Sequence, residues 1–260
     1  MCRHIAFVGP QTALGELLVA PPHGLLRQSW APRRQRYGTV NADGFGVGWY
    51  AADDPVPARY RRTGPVWADQ SFADLARVVR GTAVLAAVRD ATEAGADGEA
   101  AAAPFAAGPW LFSHNGAVEG WPRSVAPLAG ALPAAELLSM EARCDSALLW
   151  ALVLHRLRDG DGLGEALAET VQEVARAAPG SRLNLLLTDG VTVAATAWGD
   201  TLWYRAEPGR PGRPRCPSGR TVVASEPYDD HPHWCEVPDR TLLVATRTDV
   251  LLTPLKEPPA

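Results

Sequence analysis

Lysine is almost missing from this chain of 260 residues: of 25 basic side chains only Lys256 is not an arginine. Chemistry that needs a lysine deep in a site, such as a pyridoxal Schiff base or the phosphate lysine of a nucleotide-binding loop, has no residue to carry it. Lys256 sits in the proline-flanked tail Leu-Lys-Glu-Pro-Pro-Ala. A positive charge excess is missing too. The formal net charge is -4, so no long-range field draws in nucleic acid or an anionic membrane surface. No apolar run approaches the ~20 residues of a membrane span, and the apolar stretch near the start is broken by Gly9, Pro10 and Gln11, unlike a secretory leader. Cysteine is scarce and scattered. Cys2, Cys144, Cys216 and Cys235 contain no Cys-x-x-Cys pair, which argues against a disulfide framework or a zinc ribbon. These absences predict a cytoplasmic protein with neither a nucleic-acid nor a membrane partner.

What is present is an ordinary globular composition, 47% apolar and 21% charged, with 24 Gly and 23 Pro that imply many turns. Short apolar runs predict strands at residues 5–8, 45–50 and 82–88, with a short helix over 13–19. Ser71 and Asp74 form a capping-box pattern that predicts a helix starting at Ser71. Residues 31–38, with three arginines between turn formers, and the small, acidic stretch 93–104 read as solvated loops. Helical periodicity covers 145–158 and 163–178. Strand signals then resume at 181–188 and 191–198 around the hairpin dipeptide Asp189-Gly190, and Gly199-Asp200 turns into 201–205 to suggest an antiparallel meander. A Pro/Gly/Arg-rich loop, 206–219, precedes strands at 221–224, 242–246 and 250–252. Clustered strands with one adjacent helix pair, and no regular alternation, predict an α+β protein with antiparallel sheet.

Six places can carry chemistry. Cys2 becomes the first residue when the initiator Met is trimmed, and its free α-amine then lies within reach of its own sulfur. An amine titrating near ~8 and a thiol near ~8.5 pair base and nucleophile in one residue. His114-Asn115-Gly116 follows the apolar Trp110-Leu-Phe, so Asn115 and Gly116 are expected just past a strand end, where an amide and a glycine N–H can converge as an oxyanion hole. Arg89, ending a strand three residues before Thr92, suits a carboxylate, and Asp145 at a helix start suits either a cap or a ligand ammonium. Asn41-Ala-Asp-Gly-Phe-Gly-Val-Gly48 permits close backbone approach or a bulged strand. His231, His233 and Cys235 offer three donors in five residues to a soft metal, without a fourth at standard spacing.

Taken in order, Met-Cys-Arg-His at the start, Asn41 to Tyr50, Val88-Arg-Asp-Ala-Thr92, His114-Asn-Gly and Cys144-Asp-Ser-Ala resemble the class II, N-terminal-nucleophile glutamine amidotransferases across essentially the whole chain. The first two motifs, with Ala224-Ser-Glu-Pro-Tyr-Asp-Asp230, look most like the ergothioneine-pathway branch, the γ-glutamyl hercynylcysteine S-oxide hydrolases. The resemblance implies a four-layer αββα sandwich of antiparallel sheets forming one domain over 2–260, with no cofactor and no metal. It implies Cys2 as nucleophile with its α-amine as base, and Asn115 and Gly116 as the oxyanion hole. Arg89 and Thr92 would bind the α-carboxylate of a γ-glutamyl group and Asp145 its α-ammonium, with His114 grouped among the substrate-binding residues. The small-molecule partner would be a γ-glutamyl substrate. Two positions depart from the pattern: Ala87 stands where a histidine often precedes the arginine, and Ala147 where an acidic residue is frequent. A length of 260 residues leaves no room for an ammonia-accepting synthase domain, which favours a stand-alone hydrolase. Of nine tryptophans, Trp30, Trp67 and Trp121 are the candidates to face a trimethylammonium group. The alternatives are the glutaminase subunit of a two-chain amidotransferase and a metal- or ligand-binding module without turnover.

Overall fold

A computed structural model describes residues 2–91, 98–207, 209 and 219–256. The chain opens with strand β1 (Arg3–Ala13), helices α1 (Leu14–Leu18) and α2 (Leu25–Gln28), and strands β2 (Phe45–Tyr50) and β3 (Ala58–Arg62). Helix α3 (Gln70–Val78) leads into β4 (Arg80–Val88), β5 (Phe105–Ala107) and β6 (Trp110–Ala117). Four helices follow: α4 (Ala126–Ala131), α5 (Ala134–Leu138), α6 (Asp145–Asp159) and α7 (Leu163–Ala177). The remainder is strand: β7 (Arg182–Thr188), β8 (Val193–Ala197), β9 (Trp203–Glu207), β10 (Arg220–Ala224), β11 (Cys235–Glu236), β12 (Thr241–Ala245) and β13 (Val250–Pro254).

These strands form two antiparallel sheets, one ordered β11-β9-β10-β1-β4-β2-β3 and the other β13-β12-β8-β7-β6-β5. The period-two alternation of each strand sorts its side chains between layers. On β1, Ile5 and Phe7 pack with Leu14, Leu17, Leu18 and Phe72 under α1 and α3, while Ala6 and Val8 face the other sheet. On β6, Phe112 meets Leu149 and Leu167 under α6 and α7, and Leu111 joins Leu186, Leu243 and Ala195 in the inter-sheet layer. The result is helix, sheet, sheet, helix: the α+β, αββα arrangement that the sequence implied. Small residues let the sheets approach closely. A Cβ on Gly48 of β2 would come within 2.6 Å of Leu111 on β6.

Several sequence expectations shift on contact with the structure. Strand β1 runs past Gly9 and Pro10, because a register shift between Val8 and Thr12 accommodates the proline. The cap of α3 is Asp69, not Ser71: its carboxylate accepts from the N–H groups of Ser71 and Phe72, so the helix begins at Gln70, one residue before the expected start. Asp189-Gly190 makes a longer loop in which Asp189 accepts from the N–H groups of Val191 and Thr192, instead of a two-residue hairpin. The expected meander breaks at Asp200. The chain crosses there to the seven-stranded sheet, where Asp200 pairs with the buried Arg3 guanidinium at 3.1 Å and β9 pairs with β10. Stretch 31–38 is pinned, since the fully buried carboxylate of Glu226 accepts from the N–H groups of Arg33 and Arg34. Ala101 and Ala102 are buried although 93–104 reads as a surface loop, because alanine fills space against Phe105 without a polar side chain to solvate.

Candidate active site

The antiparallel register sets Arg3 opposite Val88 and so places Cys2 across from Arg89 at the open end of the inter-sheet gap. Arg3 fixes this end of the strand: Nε donates to the carbonyl of Cys2 at 2.9 Å while Nη2 holds Asp200. The Arg89 segment is clamped in turn by the Asn41–Gly44 turn. Arg89 N donates to Gly44 O, Asp43 N to Arg89 O, Arg89 Nη1 to Asp43 O, and Ala91 N to the Asp43 carboxylate at 2.8 Å. Asn41, fully buried, ties that turn to α2 through Nδ2 to Gln28 O and to Gln35 Oε1. The glycine-rich motif therefore aims the arginine.

Cys2, Arg89, Gly116 and Asp145 line one cavity of about 250 Å³, walled by the residues after β4, the end of β6 with its following turn, and the entry to α6. Asp145 is oriented before any ligand enters, since Oδ2 accepts from Val118 N at 3.0 Å and Oδ1 from Ser146 N at 2.7 Å. Burial pushes the Cys2 thiol above its ordinary value; a backbone hydrogen bond at Asp90 and the Arg89 charge pull the other way, and Asp145 adds to the rise. Cys144 lies in the same wall, but burial pushes its thiol up to about 11, which leaves it protonated at neutral pH.

Asn115 and Gly116 lie inside β6, not beyond it. The strand continues because its pairing with β7 runs through Asn115 with Asn184, Gly116 with Leu183 and Ala117 with Arg182. Alternation along β6 then separates the motif. Asn115 points between the sheets, fully buried, and its Nδ2 donates to Ser225 Oγ at 3.3 Å. Ser225 Oγ also accepts from His4 N at 3.0 Å, which joins β1 to the amide. His114 points the opposite way and stays outside the cavity wall: its ring hydrogen-bonds with Ser146 Oγ and donates to Arg182 O, both at 2.9 Å. Gly116 sits at φ 151°, and a Cβ there would fall 1.9 Å from Arg182 O, so glycine is required.

Thr92 lies outside the described residues, as does Cys216. Of the three tryptophans singled out, Trp121 belongs to the cavity wall, while Trp30 and Trp67 form an edge-on pair 5.7 Å apart on the surface. Position 87, expected in the glutamyl pocket, carries a buried alanine paired with His4 and Gly46 across the sheet. Among the described residues no group of three or more His, Cys, Asp or Glu side chains is placed to hold a metal ion, so His231, His233 and Cys235 do not converge on one. Sequence reading missed Asp90, Glu119 and Arg143, which line the cavity, and Ser225 behind it. Asp90 and Ser225 had a signal, each as part of a quoted motif.

Comparison with known proteins bears on this geometry. A family model for class-II glutamine amidotransferases matches residues 25–208. The chain is 44% identical over 255 residues to a gamma-glutamyl-hercynylcysteine sulfoxide hydrolase of Mycolicibacterium smegmatis, covering 98% of this chain and 100% of that one. It is 43% identical to the protein of the same name from Mycobacterium tuberculosis, covering 98% and 97%. Among solved structures, a glutamine aminotransferase class-II domain protein of Silicibacter pomeroyi superposes with a TM-score of 0.66 at 24% identity, over 98% of this chain and 100% of that one. The phosphoribosylpyrophosphate amidotransferase of Bacillus subtilis gives 0.66 at 15% identity, over 98% and 49%. These two share the fold. With the full-length relatives and the matched family model, they lead to one statement: the chain belongs to the class II glutamine amidotransferases.

Proposed function

We propose that the protein hydrolyses the γ-glutamyl amide bond of γ-glutamyl-hercynylcysteine sulfoxide, releasing glutamate and hercynylcysteine sulfoxide in ergothioneine biosynthesis. The observation that carries the reading is the wall shared by Cys2, Arg89 and Asp145. A γ-glutamyl head is a zwitterion, and one guanidinium with one carboxylate is its complement, beside a thiol that can reach the amide carbonyl. Identity of 43–44% over nearly the full length with hydrolases named for that substrate supports the rest of the molecule as its leaving group.

Once Met1 is removed, the α-amine of Cys2 takes the thiol proton and sulfur attacks the γ-carbonyl carbon. The second N–H of Asn115 and the Gly116 N–H stabilise the oxyanion. Collapse breaks the C–N bond, and the departing nitrogen takes the proton from the α-ammonium, leaving a γ-glutamyl thioester on Cys2. Water, deprotonated by the same amine, attacks the thioester; sulfur leaves and glutamate is freed. Thr92 joins Arg89 at the α-carboxylate, and Trp121 offers an aromatic face to the trimethylammonium group. No further domain is required for this reaction. A free catalytic thiol also fits a reducing cytoplasm, and among the described residues no helix is long and apolar enough to cross a membrane.

The test compares glutamate release from γ-glutamyl-hercynylcysteine sulfoxide and from glutamine, with trapping by a γ-glutamyl diazoketone. Release from the sulfoxide with the adduct on Cys2 is expected. Turnover of glutamine alone would make the protein a glutaminase, and an adduct on Cys144 would overturn the nucleophile.

A further inference from the structure

An oxyanion donor must point at an oxygen that carries charge only during the reaction, so the direction of the Asn115 amide matters as much as its presence. Its backbone is fixed twice. Asn115 pairs with Asn184 across β6 and β7, and on the same face of β6 the Ser113 hydroxyl hydrogen-bonds with the His4 ring at 3.2 Å, which ties β6 to β1. The side chain is held far less. Among the described residues its amide oxygen has no hydrogen-bond partner, and its nitrogen has Ser225 Oγ alone, at 3.3 Å. Ser225 is itself immobilised. It is fully buried; its N–H donates to His4 O and its carbonyl accepts from Thr201 Oγ1, both at 2.9 Å, while its Oγ accepts from His4 N at 3.0 Å.

We propose that Ser225 is a positioning residue for the hydrolysis, acting through Asn115: its hydroxyl fixes the orientation of the amide that stabilises the oxyanion. The inference rests on the oxyanion role given to Asn115 above. Ser225 follows β10 of the seven-stranded sheet and Asn115 belongs to β6 of the six-stranded one, so the contact crosses the inter-sheet layer and sets the amide against β1, the strand that Cys2 precedes. The last torsion of an asparagine has only a broad preference of its own. Without the hydroxyl, the residue keeps its place on β6, because the strand pairing and the His4–Ser113 contact remain, but the amide loses its direction. A donor that must be aligned during the reaction stabilises the tetrahedral intermediate less. The bound substrate carries no oxyanion, so the loss falls on kcat and spares KM. Ser225→Ala also takes the acceptor away from His4 N, a structural effect from which the positioning role has to be separated.

The experiment is a double-mutant cycle. It measures kcat and KM for glutamate release from γ-glutamyl-hercynylcysteine sulfoxide by the wild-type enzyme, Ser225→Ala, Asn115→Ala and the double variant, with each rate counted per Cys2 site titrated by a γ-glutamyl diazoketone. Counting sites removes any fraction lost to unfolding. Ser225→Ala is expected to lower kcat by about 10-fold, the value of one ordinary hydrogen bond, with KM little changed. In the Asn115→Ala background the same substitution should change kcat by less than about two-fold, because the group it directs is gone. Ser225→Thr, which keeps the hydroxyl, should retain most of the wild-type rate. Should the alanine variant not fold, Ser225→Cys, a poorer acceptor of similar shape, carries the same comparison, with a smaller loss that again vanishes beside Asn115→Ala. An equal loss in both backgrounds, a loss confined to KM, or an unchanged kcat in Ser225→Ala would each overturn the assignment while the reading above stands. If the wild-type enzyme released no glutamate from the sulfoxide, or Asn115→Ala left kcat unchanged, that reading and this inference would fall together.

Discussion

Asn115 has two amide hydrogens, and Ser225 Oγ, at 3.3 Å, occupies one of them. The other is the donor that the proposed mechanism uses. Its value lies in the tetrahedral intermediate, whose negative oxygen is absent from the ground state, so Asn115→Ala should lower kcat by about 10²–10³ with KM little changed. Arg89→Met should do the reverse and act mainly on KM; steady-state kinetics on the sulfoxide substrate separates the two. A pure KM effect at Asn115 would remove it from the oxyanion role. Residues of this kind were legible because each motif packs its chemistry locally: a cysteine at the start, an Asn-Gly pair after aromatics, an aspartate opening a helix. Arg143 and Glu119 were not. They become neighbours only when the ends of β4 and β6 and the start of α6 meet, and no spacing along the chain records that.

Elements were read better than their junctions. The helix pair α6 and α7 stood out by its apolar period, and Phe45–Tyr50 was placed to the residue. The cap of α3 was missed because Asp69 and Ser71 both suit the position, and only the carboxylate's reach to two N–H groups decides it. Asp69→Ala should therefore cost about 1 kcal/mol in denaturant unfolding, and Ser71→Ala close to nothing. Strand β6 makes a sharper demand. Gly116→Ala brings a methyl group against Arg182 O in a backbone region that only glycine adopts without strain, so a loss above about 2 kcal/mol is expected. Normal stability in that variant would show that the strand end relaxes freely. The destination of β9 was illegible for another reason. A Gly-Asp turn signals reversal without saying which sheet receives the chain, and here the buried Arg3 makes that choice.

At the scale of the whole molecule, the inter-sheet layer encloses His4 beside Ser113. Burial, with the charge of Arg3, holds its imidazole well below the ordinary 6.5. The folded protein keeps this ring neutral while the unfolded chain takes up a proton once pH falls below about 6.5. Stability is thus full above that value and declines as pH drops beneath it. Asp229 loses its contribution in the same direction but later: burial raises it, but Trp234 and Arg205 outweigh burial and hold it below 3.8, so its contribution is lost only in stronger acid. Thermal midpoints should fall between about pH 7 and about pH 5, and less so in His4→Gln; parallel curves would assign the decline elsewhere. A residue left in front of Cys2 converts the proposed base to an amide. Such an extension should abolish glutamate release with an unchanged melting curve, and protease cleavage that regenerates Cys2 should restore it.

Strand β1, which follows the proposed nucleophile, is held on both sides, by β4 and, through Ile5 with Ala224, by β10. During synthesis that strand emerges before β10, its neighbour more than two hundred residues downstream. The amide of Asn115 is joined to that strand through Ser225, just after β10, so this link forms only once that downstream segment has been made. A chain ending before β10 would carry Cys2 without this link to Asn115.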